Sequence, residues 1–156
     1  MDPEAGWTKK NGVSTYGYKG HVGVDEGTDL IRTATFTSAD VHDSVAFKKL
    51  VVGDEEAAYA DKGYPSQEHR DFLAAKGIKD GIMHKATRGK PLKNWQIWLN
   101  KAVAPIRAGV ERIFARMKVQ HGFTRARYFG LKRNACGFFL LCTAMNIARA
   151  ASLRAA

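Results

Sequence analysis

The period of the apolar positions changes several times along the chain, and each change marks an element. Tyr16 to Asp25 alternates apolar and polar for much of its length, which predicts a strand. Glu26-Gly27-Thr28-Asp29 is a turn signal, and Leu30 to Phe36, rich in β-branched residues, predicts the partner strand. Asp40, His42, Asp43 and Ser44 then offer caps for a short helix to about Leu50. Ala57 to Ala60 reads as a short buried strand ending at Asp61. Gln67 to Lys76 reads as a helix stopped by Gly77, and Ile78 to Met83 as a further strand. Residues 84–94 form a basic loop with Gly89 and Pro91, and Trp95 to Lys101 is predicted helical. Pro105 is placed to open the next helix. Along it Val103, Ile106, Val110, Ile113 and Met117 step by three and four into one apolar stripe. His121 to Gly130 is a basic, aromatic connection, and Leu131 to about Leu153 predicts a strongly apolar last helix. Residues 1–15 are polar and glycine-bearing and read as loop.

The order is a hairpin followed by alternating helices and strands, then two late helices, which argues for an α/β layer architecture with an antiparallel pair at its start. No internal repeat and no low-complexity segment interrupts it. At 156 residues and 45% hydrophobic the chain fits one domain able to bury a core. No apolar run reaches the roughly 18 residues that span a membrane; the richest, Cys136 to Met145, lies between Arg133 and Arg149. The first residues have no apolar core, so no signal peptide is read there. Cys136 and Cys142 match no zinc spacing and read as small core hydrophobes in a reducing compartment. The expected location is the bacterial cytoplasm, associated with the nucleoid, with no membrane partner.

Charge narrows the partner. The net charge is +10, which points to a polyanion, nucleic acid first. Acids and bases are mixed up to Met83. From His84 to Arg133 the chain is densely basic, and Glu111 is its one acid. A lone carboxylate there is either a local ion-pair partner or a group with a task.

Two acids stand where chemistry can be placed. Asp61 directly follows a short apolar strand, and the carboxyl ends of strands in α/β sheets open onto the site crevice. The plainer reading is a loop aspartate capping the next turn. Glu111 shares one helix face with Arg107, four residues before it, and Lys118, seven after it, beside the apolar stripe. The plainer reading is an exposed ion pair with Arg107 worth a few tenths of a kcal/mol. Trp95, Trp98, Phe123 and Tyr128 suit base stacking or core packing, and packing is the expectation for both tryptophans. Asp40, His42 and Asp43 read as a helix N-terminus with a capping aspartate rather than a metal cluster.

Taken together these residues resemble a known family. Arg107-x3-Glu111-x6-Lys118 fits the signature Tyr-x2-Arg-x3-Glu-x6-Lys of the DDE transposases of bacterial insertion sequences, families four and five. Ala60-Asp-Lys-Gly-Tyr64 resembles the segment carrying that group's second aspartate. Tyr16-Gly-Tyr-Lys-Gly-His21, Ala39-Asp-Val-His-Asp-Ser44 and the final helix with Asn146 are also similar, so the likeness spans nearly the whole chain. It implies an RNase H-like mixed sheet flanked by helices, lacking its first strand, with an extra C-terminal apolar helix. The division it implies is a tail over 1–15, a partial catalytic core over 16–128 and a packed C-terminal helix over 129–156.

The resemblance also implies an activity, DNA strand cleavage and transfer in transposition by two-metal phosphoryl transfer. Three carboxylates hold two Mg²⁺ ions roughly 3.5–4 Å apart, and Asp61 and Glu111 would be the second and third. Arg107 and Lys118 would contact phosphate or orient Glu111. Arg112, Arg116, Lys62, Arg125 and Arg127 would track the DNA backbone. The partners implied are transposon ends and target DNA, and a second copy in a transposition complex. Two departures stand out. The signature tyrosine falls on Ala104. The first aspartate belongs to a strand upstream of these residues, so an upstream transposase segment would supply it. Asp2 reads as part of a flexible tail, and Asp25 and Asp29 as solvated acids bracketing a turn. The chain alone is therefore expected not to cut or join DNA; a non-catalytic, truncated or domesticated DNA-binding remnant is the alternative.

Overall fold

A computed structural model describes residues 1–10, 12–64 and 66–155. The long strand β2 (Val13–Val24) organises the N-terminal half. Its first part pairs antiparallel with β1 (Gly6–Lys10), and its second part with β3 (Ile31–Ser38), with a register shift at Gly23/Val24. A short helix, α1 (Asp43–Leu50), leads to β4 (Ala57–Ala60), which pairs in parallel with β5 (Lys79–Ile82) through the crossover helix α2 (Gln67–Ala75). A parallel pair needs such a crossover. Ser66 starts α2 by accepting the His69 amide at 3.1 Å, and Gly77, at φ +71°, ends it with 3.0 Å bonds from its own amide and that of Ile78 to Ala74 and Leu73.

Two cores follow from this arrangement. The larger lies between the hairpin and the long helices α3 (Asn94–Val119) and α4 (Leu131–Arg154). It joins Val22 and Ile31 to Ile113 and Met117 of α3 and to Phe138, Cys142 and Met145 of α4. Phe138 is fully buried between Phe36 and Phe123, with ring centroids 5.3 and 5.6 Å away. Gly20 makes room for it, since a Cβ there would fall 2.5 Å from the Phe138 ring. The smaller core sets Phe47 of α1 and Leu73 of α2 against Ala60, Ile78 and Ile82 around the parallel pair.

Three asparagines act as strand and loop partners rather than as chemistry. Asn146 accepts the Ile31 amide and donates to its carbonyl, both at 2.8 Å. Asn100 does the same to His84 at 2.8 and 2.9 Å. Asn134 accepts the Arg127 amide at 3.2 Å and donates to Tyr128 and Gly130 carbonyls at 2.6 and 2.9 Å. A carboxamide sets N–H donors beside a C=O acceptor as a peptide does, so it can stand in for a missing strand neighbour.

Several sequence expectations are corrected. Residues 6–10 are strand, not loop, and Asp2 is no free tail: its carboxylate accepts the Tyr18 hydroxyl at 2.6 Å and the Gly130 amide at 2.7 Å. Helix α3 does not open at Pro105 but runs through it from Asn94. A proline inside a helix costs about 3 kcal/mol. Buried side chains on both sides, Asn100 and Val103 before it, Ile113 and Met117 after it, hold the helix together. The cap of α1 is His42, whose Nδ1 accepts the Ser44 amide at 3.2 Å, not an aspartate. Trp95 and Trp98 are 56% and 70% exposed, so neither is a core residue. Helix α4 is long and apolar enough to cross a membrane by length and composition, against the expectation of no such run. One helix of this kind is a weak sign, because core helices pass the same measure, and here one face of α4 packs into the larger core.

Candidate active site

Asp61 sits immediately beyond the carboxyl end of β4, where the backbone turns at once: the Tyr64 amide bonds the Asp61 carbonyl at 3.0 Å. Its Oδ1 accepts the Lys62 amide at 2.6 Å and lies 3.2 Å from Nη1 of Arg107. The carboxylate is 47% exposed and the guanidinium 20%. Helix α3 brings Arg107 here because its apolar stripe packs against the hairpin, which lays the neighbouring face beside β4. Sequence spacing suggested Arg107 as the helix partner of Glu111. The structure pairs it with Asp61 instead, a contact between residues 46 apart that no local pattern signals. Glu111 follows one turn later on the same face, exposed, and Lys118 is exposed two turns further.

Beside this pair opens a cleft of about 840 Å³. Its walls include the end of β2 from Val22 with Asp25 just beyond it, the whole of β4 with Asp61, and the Pro105–Arg112 segment of α3. Asp25, Asp61 and Arg107 all line it, whereas Glu111 lies outside the lining. Tyr64 also lines it, and burial pushes its phenol up to about 12, so it stays a neutral hydrogen-bonding group. Two strand ends thus face one gap, with carboxylates on both.

The family model described as "Transposase DDE domain" matches residues 2–147. The chain belongs to that transposase family. It is 36% identical over 155 residues to a transposase for insertion sequence element IS1106 from Neisseria meningitidis serogroup B, covering 97% of this chain and 53% of that protein. The chain therefore spans about half the length of the curated transposase it matches. No solved structure matches it.

Several other acids of the transposase chain are already engaged. Asp25 accepts the Thr28 hydroxyl at 2.6 Å, and Asp29 pairs with Arg112 at 3.1 Å with only 17% of its side chain exposed. Both were expected to be solvated, and the turn folds them onto partners instead. Asp43 pairs with Lys19 at 3.2 Å, and the Ser38 hydroxyl beside Asp40 holds that carboxyl below its ordinary range. Among the described residues no group of three or more His, Cys, Asp or Glu side chains is gathered as a metal would need. Asp61 and Glu111 offer hard oxygen donors, the kind Mg²⁺ takes, but two such donors fall short of a site. Of the expected DNA contacts, Lys62, Arg125 and Arg127 are exposed, Arg116 is half-buried, and Arg112 is tied to Asp29. Of the two aromatics left open between stacking and packing, Phe123 packs against the larger core and Tyr128 is exposed.

Proposed function

We propose that this chain is the larger, C-terminal part of a transposase catalytic domain that cleaves and joins DNA strands. The observation that carries the reading is Asp61 at the carboxyl end of a parallel strand, held by Arg107, with Glu111 one turn further along the same helix face. Within the reading residues 16–128 are a partial RNase H-like core and 129–156 its packed C-terminal helix. The gap between Val22–Asp25 and Ala57–Asp61 has the position of a missing strand. An upstream transposase segment, for which the relative's greater length leaves room, would enter that gap, join the two small sheets into one mixed sheet and carry the third carboxylate next to Asp61.

Each residue then has a task. Asp61 and Glu111 are the metal-holding carboxylates of the catalytic site, by their place in the family pattern. Bound there, Mg²⁺ would help deprotonate the attacking water or 3′-hydroxyl and stabilise the leaving oxygen. Arg107, fixed between β4 and α3, would transfer its guanidinium from Asp61 to a phosphate oxygen, which it can grip with two parallel N–H donors. Lys118, Lys62, Arg116, Arg125 and Arg127 would hold the backbone of transposon ends or target DNA, and Arg112 would do so only by releasing Asp29. A second copy completing a transposition complex and a cytoplasmic, nucleoid-associated location belong to the same reading.

One observation favours the alternative, a DNA-holding remnant that does not cut: Arg107 neutralises Asp61, and no third ligand stands beside them among the described residues. A Mg²⁺-dependent cleavage assay on DNA with the element's ends separates the two. The chain extended through the upstream strand is expected to cut and the 156-residue chain not; Asp61→Asn and Glu111→Gln should each abolish cutting by the extended form. An extended form that binds DNA but never cuts would leave the remnant reading standing. Equal cutting by both forms would show that an acid within these residues, Asp25 first, completes the site.

A further inference from the structure

Four arginines of this chain have a carboxylate opposite them: Arg32 with Asp54, Arg70 with Asp80, Arg107 with Asp61 and Arg112 with Asp29. Two of the arginines without such a partner among the described residues come together instead. Arg116, near the end of α3, and Arg149, late in α4, line one cavity of about 310 Å³ together with Gln120 and His121, and no carboxylate lines it. Arg149 is fixed in place, since its Nε donates to the Thr28 carbonyl at 2.7 Å; its two terminal nitrogens have no further partner among the described residues. Arg116 has no side-chain hydrogen bond or ion pair among the described residues and is half-buried. Two guanidiniums sharing a cavity without a counter-charge repel each other, and burial strengthens that repulsion.

We propose that this cavity binds a phosphate group of the DNA backbone, away from the phosphate that reacts. The inference rests on the reading of the chain as a DNA-working transposase domain and adds a site to it. Guanidinium geometry suits the choice, because paired N–H donors match phosphate oxygens. The Gln120 amide and the His121 ring add donors at the rim. The ends of α3 and α4 both lie here and bring roughly half a negative charge each. Two guanidiniums outweigh that sum, so the cavity stays positive. Arg116 lies five residues beyond Glu111, about 7.5 Å along the helix axis, and on another face, so a strand held here lies beside the cleft rather than in it.

The test uses the full chain and duplex DNA titrated across salt, with Arg116→Gln, His121→Gln and, as a charge-keeping control, Arg116→Lys. Arg116→Gln is expected to lower the slope of log affinity against log salt by about one and to weaken low-salt binding roughly tenfold, with thermal stability unchanged. His121→Gln should weaken binding by a smaller factor, and Arg116→Lys should keep most of the slope. In a parallel arm, inorganic phosphate is titrated while the Gln120 and His121 amides are followed by NMR; saturable shifts lost in Arg116→Gln are expected. Wild-type binding with Arg116→Gln unchanged in slope and affinity overturns the pocket alone. Phosphate shifts without a change in slope mean a free-anion site and overturn the backbone assignment. A wild-type chain that binds no duplex brings down both the DNA reading and this inference.

Discussion

Replacing Asn146 by alanine tests whether a residue that belongs to the family resemblance is structural rather than chemical. Its carboxamide makes two bonds to Ile31, at 2.8 Å to the amide and 2.8 Å from its own nitrogen to the carbonyl. Ile31 begins β3 and is 7% exposed, so water does not easily replace both bonds. A hydrogen bond contributes about 1 kcal/mol net, and an abandoned buried backbone group costs about 1–3 kcal/mol. Asn146 is itself half-buried, which allows partial rehydration and puts the expected loss at about 2–3 kcal/mol. For a chain of this size that corresponds to a melting temperature lower by about 5–10 °C. Denaturant titration measures the loss, and amide exchange at Ile31 locates it. Asn146→Asp should cost as much or more, since it sets a carboxylate oxygen against the Ile31 carbonyl. DNA affinity of the folded variant should not change. A loss under about 0.5 kcal/mol with Ile31 still protected, or a fall in DNA affinity without any change in stability, would refute the assignment.

Other expectations follow from single contacts. Gly20→Ala places a Cβ 2.5 Å from the Phe138 ring, so it should destabilise by about 1–3 kcal/mol, and Gly20→Ala combined with Phe138→Leu should recover part of that in denaturant melts. Arg107→Gln should cost at most about 1 kcal/mol, because the Asp61 pair is partly exposed; a loss of several kcal/mol by thermal melting would make the pair structural rather than poised for chemistry. The Tyr18 hydroxyl, then the Gly130 amide, hold the Asp2 carboxyl below its ordinary range. A carboxyl lowered on folding contributes stability above its unfolded value, and that contribution is lost as pH falls through the folded value, below about pH 4. Acid titration should therefore shift the Gly130 amide resonance and expose the first residues to protease in that window, and a Gly130 amide that ignores pH would sink the tether.

The candidate site was half legible. Asp61 could be singled out as a candidate because a short apolar strand points to its own carboxyl end, and Glu111 because it is the one acid in a basic stretch at helical spacing from Arg107 and Lys118. What sequence could not give was the partner of Arg107, since the helix neighbour at four residues and the loop acid across the fold are equally good carboxylates on paper. Nor could spacing show that Arg116 and Arg149 meet, because helix periodicity says which residues share a face of one helix and nothing about which two helices cross.

The elements themselves came largely from local rules. Alternation placed the hairpin, Gly77 marked the end of α2, and the three-four stripe placed the core face of α3; each depends only on residues within a turn or two. The failures share one physical cause. Pro105 signals a helix start by its backbone, but buried residues on both sides of it carry α3 straight through. Residues 6–10 look like loop until β2 gives them a strand to pair with, and Asp2 looks free until Tyr18 and Gly130 come to meet it. Trp95 and Trp98 look like core by their type, yet both stay more than half exposed, with Trp95 packed edge-on against the His84 ring rather than into a core. Local preference is worth a few tenths to about 1 kcal/mol per residue, and packing and pairing across the fold outweigh it wherever they act. The chain's own letters thus determined its strands, helices and acids; only the tertiary structure decided which of them face each other across the cleft.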